Sequence, residues 1–358
     1  MGNGGGMNRR MNGIGRKRHE WKRMLTAACV FALSLGLFGC AQANTGEERP
    51  HLTLGAAEDG RFFTLAGYAA ASALNESGPG VVVETVLSKG AFLNADNVDN
   101  GTWDLAMIPA DIALAAYGGT GSFSGTPKEH LRVLAAFYVE PSLWIAREDS
   151  GLSYVHDLLG KSVVTGSPAS MTWRVSQDVS HVLGMDMENT ELWEYGVSEG
   201  AQGLLEGWAD AAHLFSDGPA VGWRSLSEQV PLTFLSYTQE ELQAVLAQNA
   251  AYEPVSLAAG TYSWQTEDYE TFGMKVLLCA SDQMSDQMAY GIAETLHVRP
   301  ETCLNDGSFR QRMESLGLSE ADLSFLTLLK DDAFISSGLP IPLHSGAEAY
   351  YRETGVLN

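Results

Sequence analysis

The chain has 358 residues, 45% of them hydrophobic, and carries 44 acidic against 22 basic side chains for a net charge of −22. Seven of the basic residues and one acid lie before residue 40, so residues 40–358 hold 15 basic and 43 acidic side chains, a net of −28. A surface of that sign repels nucleic acid and anionic lipid, which excludes nucleic-acid binding and requires that any anionic ligand be captured by a local device.

In chain order, the basic stretch "RRMNGIGRKRHEWKR" precedes the apolar run "MLTAACVFALSLGLFG", which stops at Cys40 and gives way to the polar "AQANTGEERP". That is the layout of an export signal, and the run falls short of the ~20 apolar residues that span a bilayer. "LFGC" resembles the lipobox of bacterial lipoproteins, where the cysteine is lipidated and becomes the new N-terminus. The expectation is a signal peptide over 1–39, lipidation at Cys40 and a flexible tether over 40–50, with an uncleaved anchor or simple secretion as the alternatives. The remainder is long enough for two domains at ~100–200 residues each. Of the four cysteines, Cys279 and Cys303 are left once Cys29 departs with the signal and Cys40 is lipidated. An exported chain permits a disulfide between them. Cys279 in the apolar run "MKVLLCA" equally fits a buried free thiol, so both readings stay open.

Downstream the pattern is strand, helix, strand, repeated. "HLTLG" (51–55) reads as a strand and "FTLAGYAAASALNE" (63–76) as a helix ending in "SGPG". "VVVETVL" (81–87) and "WDLAMIP" (103–109) are further strands, with a helix between them over 93–99. "RVLAAFYV" and "SLWIAR" follow as two runs, then "KSVVTG", a helix from Ser170 to Leu183, "ELWEYG", a helix over 199–208 and "AAHLF". Short apolar runs alternating with amphipathic helices predict an α/β fold with largely parallel sheets. "YGGTGSFSGTPKE" (117–129) reads as an exposed loop.

Four segments in this order are similar to the solute-receptor subunit of tripartite ATP-independent periplasmic (TRAP) transporters of the TAXI type, relatives of the type II periplasmic binding proteins. They are "WDLAMIPADIA" (103–113), "LWIAREDSGLSYVHDLLGKSVVTGSPASMTW" (143–173), "SLAAGTYSWQTEDYETFG" (256–273) and "GLPIPLHSGAEAYYRETG" (338–355). The similarity runs from about Leu52 to the C-terminus. It implies a two-lobed fold with a ligand cleft between the lobes: lobe I over 51–139, lobe II over 140–267, and a return to lobe I with C-terminal helices over 268–358. It further implies a receptor without catalytic residues, cofactor or metal, whose partners are a small solute and a TRAP-type membrane permease.

Within that geometry the N-terminus of the helix at Ser170 faces the cleft, its free N–H groups and dipole offering a site for a carboxylate. The plainer reading is that Ser170 is an N-cap worth about 1 kcal/mol and no more. The loop "GAAEDGRFFTLAG" (55–67) departs from the family's glycine-rich turn by placing Glu58, Asp59 and Arg61 there, followed by Phe62. Arg61 has the planar fork for a bidentate carboxylate clamp, and it has equally the option of pairing with Glu58 or Asp59 at the rim. Lys89 replaces a glycine, and Pro109 and Ala110 replace polar residues that the family offers to its ligand. By position, Ala57, Ser88, Ser167, Met171, Thr172, Asp217 and Tyr262 complete the expected ligand-binding set.

Other motifs fail on spacing. "GGTGSFSG" misses the dinucleotide fingerprint by one position, and the calcium-loop positions counted from Asp96 fall on Val98 and Met107, which have no oxygen to offer. His213 and His344 are isolated, and Met284 and Met288 read as packing residues. The leading expectation is thus an exported, lipid-anchored receptor for an organic acid or acidic amino acid. A sensory receptor feeding a signalling ectodomain is the alternative, distinguished by a kinase rather than a permease gene alongside. A surface hydrolase is the third reading, against which stands the absence of a recognisable nucleophile, base and orienter.

Overall fold

The computed structural model describes residues 49–57, 62–168, 170–215 and 221–357, the side chains of 221 and 222 apart. The predicted signal peptide, Cys40, Glu58, Arg61 and Asp217 lie outside the described residues. The chain divides into two units, Met1–Glu48 and Arg49–Asn358, and the second holds every assigned helix and strand among the described residues.

Its first lobe is built from β1 (His51–Gly55), α1 (Phe62–Ser77), β2 (Val82–Val86), α2 (Ala91–Asp99), β3 (Leu105–Pro109) and α3 (Ala110–Gly118). Strand β1 runs parallel to both β2 and β3. Helix α1 is rich in alanine, the strongest helix former, and buries Ala66, Ala69, Ala70, Ala71 and Ala73 with Leu65 and Leu74. The 117–129 stretch is mostly exposed, apart from Phe123, which is buried in a single 3₁₀ turn.

The chain then crosses in β4 (Leu131–Arg147) to a second set of elements: β5 (Ser162–Val164), α4 (Met171–Leu183), β6 (Glu191–Trp193), α5 (Val197–Glu206), β7 (Ala211–Phe215), α6 (Val221–Ser227), β8 (Leu232–Phe234), α7 (Gln239–Leu246) and β9 (Tyr252–Leu257). It returns in β10 (Tyr269–Ser281) and ends in α8 (Asp286–Val298), α9 (Gly307–Ser315), α10 (Phe325–Leu328), α11 (Asp332–Ser336) and α12 (Ser345–Glu353).

The sheet order is β2-β1-β3-β10-β4-β7-β5-β6, with β8 against β4 and β9 against β10. The expectation of largely parallel sheets needs correction. Both long strands run antiparallel to their neighbours, β10 to β3, β4 and β9, and β4 to β7 and β8. The two runs "RVLAAFYV" and "SLWIAR" are also one strand of 17 residues. Glu140 and Pro141 look like a break in the sequence, yet Pro141 sits where β4 changes partner. Residues up to Pro141 pair with β10, and from Ser142 onward the strand pairs with β7. A residue without an N–H is tolerated at such a handover, where the regular ladder is interrupted.

Three apolar clusters hold the unit together. One fills lobe I beneath α1 and α8, one surrounds the crossing strands from Ile108 through Phe272 to Val175, and one fills the far side of lobe II around Trp223, Tyr262 and Tyr269. Cys303 belongs to the first and Cys279 to the second, and both are free buried thiols. Burial pushes the Cys303 thiol up to about 12 and raises that of Cys279 as well. Among the described residues no helix is long and apolar enough to cross a membrane.

Candidate functional site

In open α/β sheets a ligand crevice lies beyond the carboxyl ends of the parallel strands, here the loops after β1, β2 and β3 in lobe I and after β5 and β6 in lobe II. The lobe I loops are tied by a buried polar knot. Ser88 Oγ lies 2.6 Å from Asn94 Oδ1 and 2.8 Å from the Ala56 carbonyl, and Asn94 Nδ2 donates to the carbonyls of Ala56 and Met107. Ser88 N–H donates to the Ala57 carbonyl at 3.3 Å. One asparagine therefore fixes the ends of β1 and β3 and the loop after β2 relative to one another. Sequence reasoning singled out Ser88 but passed over Asn94, a fully buried amide in a polar helix whose only cue was its lone polar position facing inward.

On the lobe II side, "VVTGSPASMTW" turns sharply into α4. Gly166 has φ +99°, and a Cβ there would lie 2.6 Å from the Trp173 backbone nitrogen, so only glycine allows the loop to fold this closely over the first turn. Ser170 is the N-cap, its Oγ accepting the Trp173 N–H at 3.1 Å. Thr172 is buried, and its Oγ1 accepts the Phe215 N–H of β7. Both side chains are committed to the fold, so what the turn presents outward is its backbone amide end and two side chains, Met171 and Arg174. Ser167 is exposed beside Gly196 at the head of α5.

Arg174 reaches across to lobe I. Its Nη1 is 2.7 Å from Asp111 Oδ2 in the first turn of α3, its guanidinium stands 5.8 Å over the Phe92 ring of α2, and Nη2 lies 2.9 Å from Met171 Sδ. Asp111 also accepts the Ile112 N–H, while its own N–H points at Met274 Sδ of β10. Burial raises the Asp111 carboxyl above its usual range even though Arg174 opposes the shift. Glu140, on the crossing strand, feels both charges. Burial first and the Asp111 carboxylate second push it up to about 8. Farther along α4, Tyr252 of β9 donates to Asp178 at 2.5 Å, and burial together with that carboxylate raises the phenol. The first turns of α3 and α4, the crossing strand and Phe92 thus meet where one cation lies near two carboxyl groups.

Behind α4 a buried relay joins the helix to the crossing strand. Ser176 Oγ donates to the Thr165 carbonyl at 2.8 Å, so it must accept from His213 Nδ1, 2.6 Å away. His213 Nε2 is then the acceptor for Ser142 Oγ–H at 2.9 Å, Ser142 lies 3.4 Å from Tyr237 OH, and Trp144 Nε1 donates to that phenol at 2.7 Å. Each member has one consistent role, which fixes His213 as the neutral Nδ1–H tautomer. Burial lowers its pKa to about 3, and the ring stacks on Trp144 at 4.3 Å.

The remaining expected residues scatter. Phe62 packs edge-on against Tyr138 at 5.5 Å, Pro109 is buried at the end of β3, and Lys89 is exposed. Tyr262 is buried in the lobe II cluster against Phe234 and Trp264, at 5.4 and 5.0 Å. His344 caps α12 by accepting the Gly346 N–H. Arg174, Asp111 and Glu140 are the charged groups that sequence reasoning did not name. The available signals were a basic residue one turn after the expected cap, an acid directly after a strand, and a lone acid within a 17-residue apolar run.

The fold resembles that of a TctC solute binding protein from Polaromonas, with 13% identity over 87% of this chain and all of that one at a TM-score of 0.52. Other similar structures are the periplasmic aliphatic sulphonate binding protein SsuA from Escherichia coli, at 14% identity over 86% and 94% of the two chains and a TM-score of 0.49, and malate-bound MatC from Rhodopseudomonas palustris, at 14% identity over 86% and 99% and a TM-score of 0.45. The model of the NMT1-like family matches residues 54–355, nearly the whole of the described unit. The chain belongs to the NMT1-like family.

Proposed function

We propose that this chain is an extracytoplasmic receptor that captures a small carboxylate-bearing solute between its lobes and delivers it to a TRAP-type permease, tethered to the membrane by a lipid on Cys40. The observation that carries the reading is Arg174 in the first turn of α4, a 13-residue helix capped by Ser170, reaching Asp111 at the head of α3. An anion placed there meets a helix dipole and a guanidinium together. A solute carboxylate entering the cleft competes with Asp111 for Arg174, and the solute replaces a pair whose carboxylate is already disfavoured by burial. Binding at both lobes favours the closed arrangement, with bending where β4 and β10 pass between lobes over 51–139 and 140–267. The solute-binding description of the Polaromonas relative agrees with this reading.

The test is thermal melting of residues 41–358 against dicarboxylates, keto acids, amino acids, sugars and metal ions. A ligand at 100 times its Kd adds about 2.7 kcal/mol of stability. Stabilisation by carboxylates alone, reduced in Arg174→Ala, is the expected result. Stabilisation by sugars or metals and by no carboxylate would show that the turn at Ser170 is a structural cap and nothing more.

A further inference from the structure

Glu140 is the one acid in the crossing strand's interior, next to the proline where β4 passes from one lobe's sheet to the other. Its cross-strand partner is Met274, whose Sδ receives the Asp111 N–H at 3.4 Å. Side chains of paired residues lie on the same face of a sheet, so Glu140 looks toward the head of α3 and the pair that Arg174 makes there. The residue as a whole keeps some solvent exposure, while burial is the largest influence on its carboxyl.

Its hydrogen bonding is incomplete. Oε1 lies 3.4 Å from the Tyr138 hydroxyl, a long contact, and no lysine or arginine among the described residues pairs with it. The charged and titratable groups around it are all otherwise engaged. Arg174 of α4 is on Asp111 of α3, Asp178 of α4 takes the Tyr252 hydroxyl of β9, and Lys275 of β10 is held by Glu253 and the carbonyls of Phe334 and Ser337. The near charge that acts on Glu140 most strongly is the Asp111 carboxylate, which repels it. A carboxyl that is desolvated, without an ion pair, held by one long hydrogen bond and beside a like charge is driven toward its neutral form, and a neutral carboxylic acid is a hydrogen-bond donor.

We propose that Glu140 receives the solute as a neutral carboxylic acid, donating its proton in a hydrogen bond to a carboxylate oxygen of the solute, so that capture depends on Glu140 keeping that proton. The inference rests on the carboxylate reading of the cleft and adds the group that selects it. The opposite role, an ionised Glu140 holding an ammonium group, would place that cation beside Arg174 and the positive end of α4. The burial-driven rise of this carboxyl to about 8 places the loss of the proton just above neutral pH.

The experiment is isothermal titration of residues 41–358, the compact unit with its own core, with pyruvate, succinate and malate as probes between pH 6 and pH 9.5. These probes stay fully ionised near neutrality, so their own titration contributes nothing above pH 7. The best-bound probe should weaken about tenfold between pH 7 and pH 9, as expected for one proton lost near pH 8. Glu140→Gln, which keeps a donor and cannot ionise, should bind within about threefold of wild type at pH 7 and show no change to pH 9.5. Glu140→Ala should be weaker at every pH and equally flat. A carboxylate bound with a Kd independent of pH in wild type overturns the inference and leaves the proposed function standing, as does a Gln variant with the wild-type slope. Putrescine binding that tightens as pH rises and vanishes in Glu140→Gln also overturns it. A wild type that binds none of the three carboxylates overturns the proposed function and this inference together.

Discussion

Replacing His213 by phenylalanine keeps the ring that stacks on Trp144 and removes both nitrogens of the buried relay. Ser142 Oγ–H then loses its acceptor and Ser176 Oγ loses its donor. A stranded buried polar group costs about 1–3 kcal/mol, and Ser176 still donates to Thr165, so the expected loss at pH 7 is about 2–4 kcal/mol. The pH dependence is the sharper part. His213 has a folded pKa lowered from 6.5 to about 3, so between those values the unfolded chain binds the proton that the folded chain refuses. Wild-type stability is unaffected above pH 6.5 and falls as pH drops through that window, by about 1.4 kcal/mol per unit. At pH 4.5 the histidine itself has cost about 3 kcal/mol, which the phenylalanine variant does not lose. Urea melts at both pH values should therefore show a gap between the proteins that is large at pH 7 and nearly closed at pH 4.5. A gap of equal size at the two values would mean that His213 carries its proton in the fold, and the relay's assignment would be wrong.

Other variants probe the scaffold that positions the cleft. Gly166→Ala places a Cβ 2.6 Å from the Trp173 nitrogen at φ +99°. It should cost about 1–3 kcal/mol in a urea melt and weaken carboxylate binding by displacing the first turn of α4. Lys275→Met removes a nearly buried ammonium from Glu253, 3.3 Å away, and from two carbonyls. Breaking a buried pair in this way costs about 3–5 kcal/mol, and proteolysis should begin in the 334–338 segment that the lysine holds.

Much of this architecture was legible in the sequence because short apolar runs and alanine-rich helices announce themselves locally. β1, β2, β3, β5, β6 and β7 all begin within a few residues of their expected positions, and α4 starts at the Ser170 cap. What local pattern does not carry is strand direction. The sequence around Glu140 and Pro141 looks like a break, and its meaning as a partner switch depends on β7 and β10, which lie about 70 and 130 residues downstream. The candidate cleft divides in the same way. Ser170 and Gly166 follow from turn chemistry, whereas Asn94, Asp111, Glu140 and Arg174 acquire their roles only when strands distant in sequence bring them together. Ser88 and Thr172 illustrate the converse, since polar side chains placed at the cleft by position turn out to be bonded inward to the backbone.

The central claim is that an anion is held between the lobes at the first turn of α4. Equilibrium titration of wild type and Arg174→Ala with the same carboxylates at pH 7 tests it most directly. At least one carboxylate should bind wild type, and the variant should lose about 10–100-fold in affinity, the ~1.5–3 kcal/mol of a charge-assisted hydrogen bond. Carboxylate affinity unchanged in Arg174→Ala, or binding confined to neutral solutes, would contradict it.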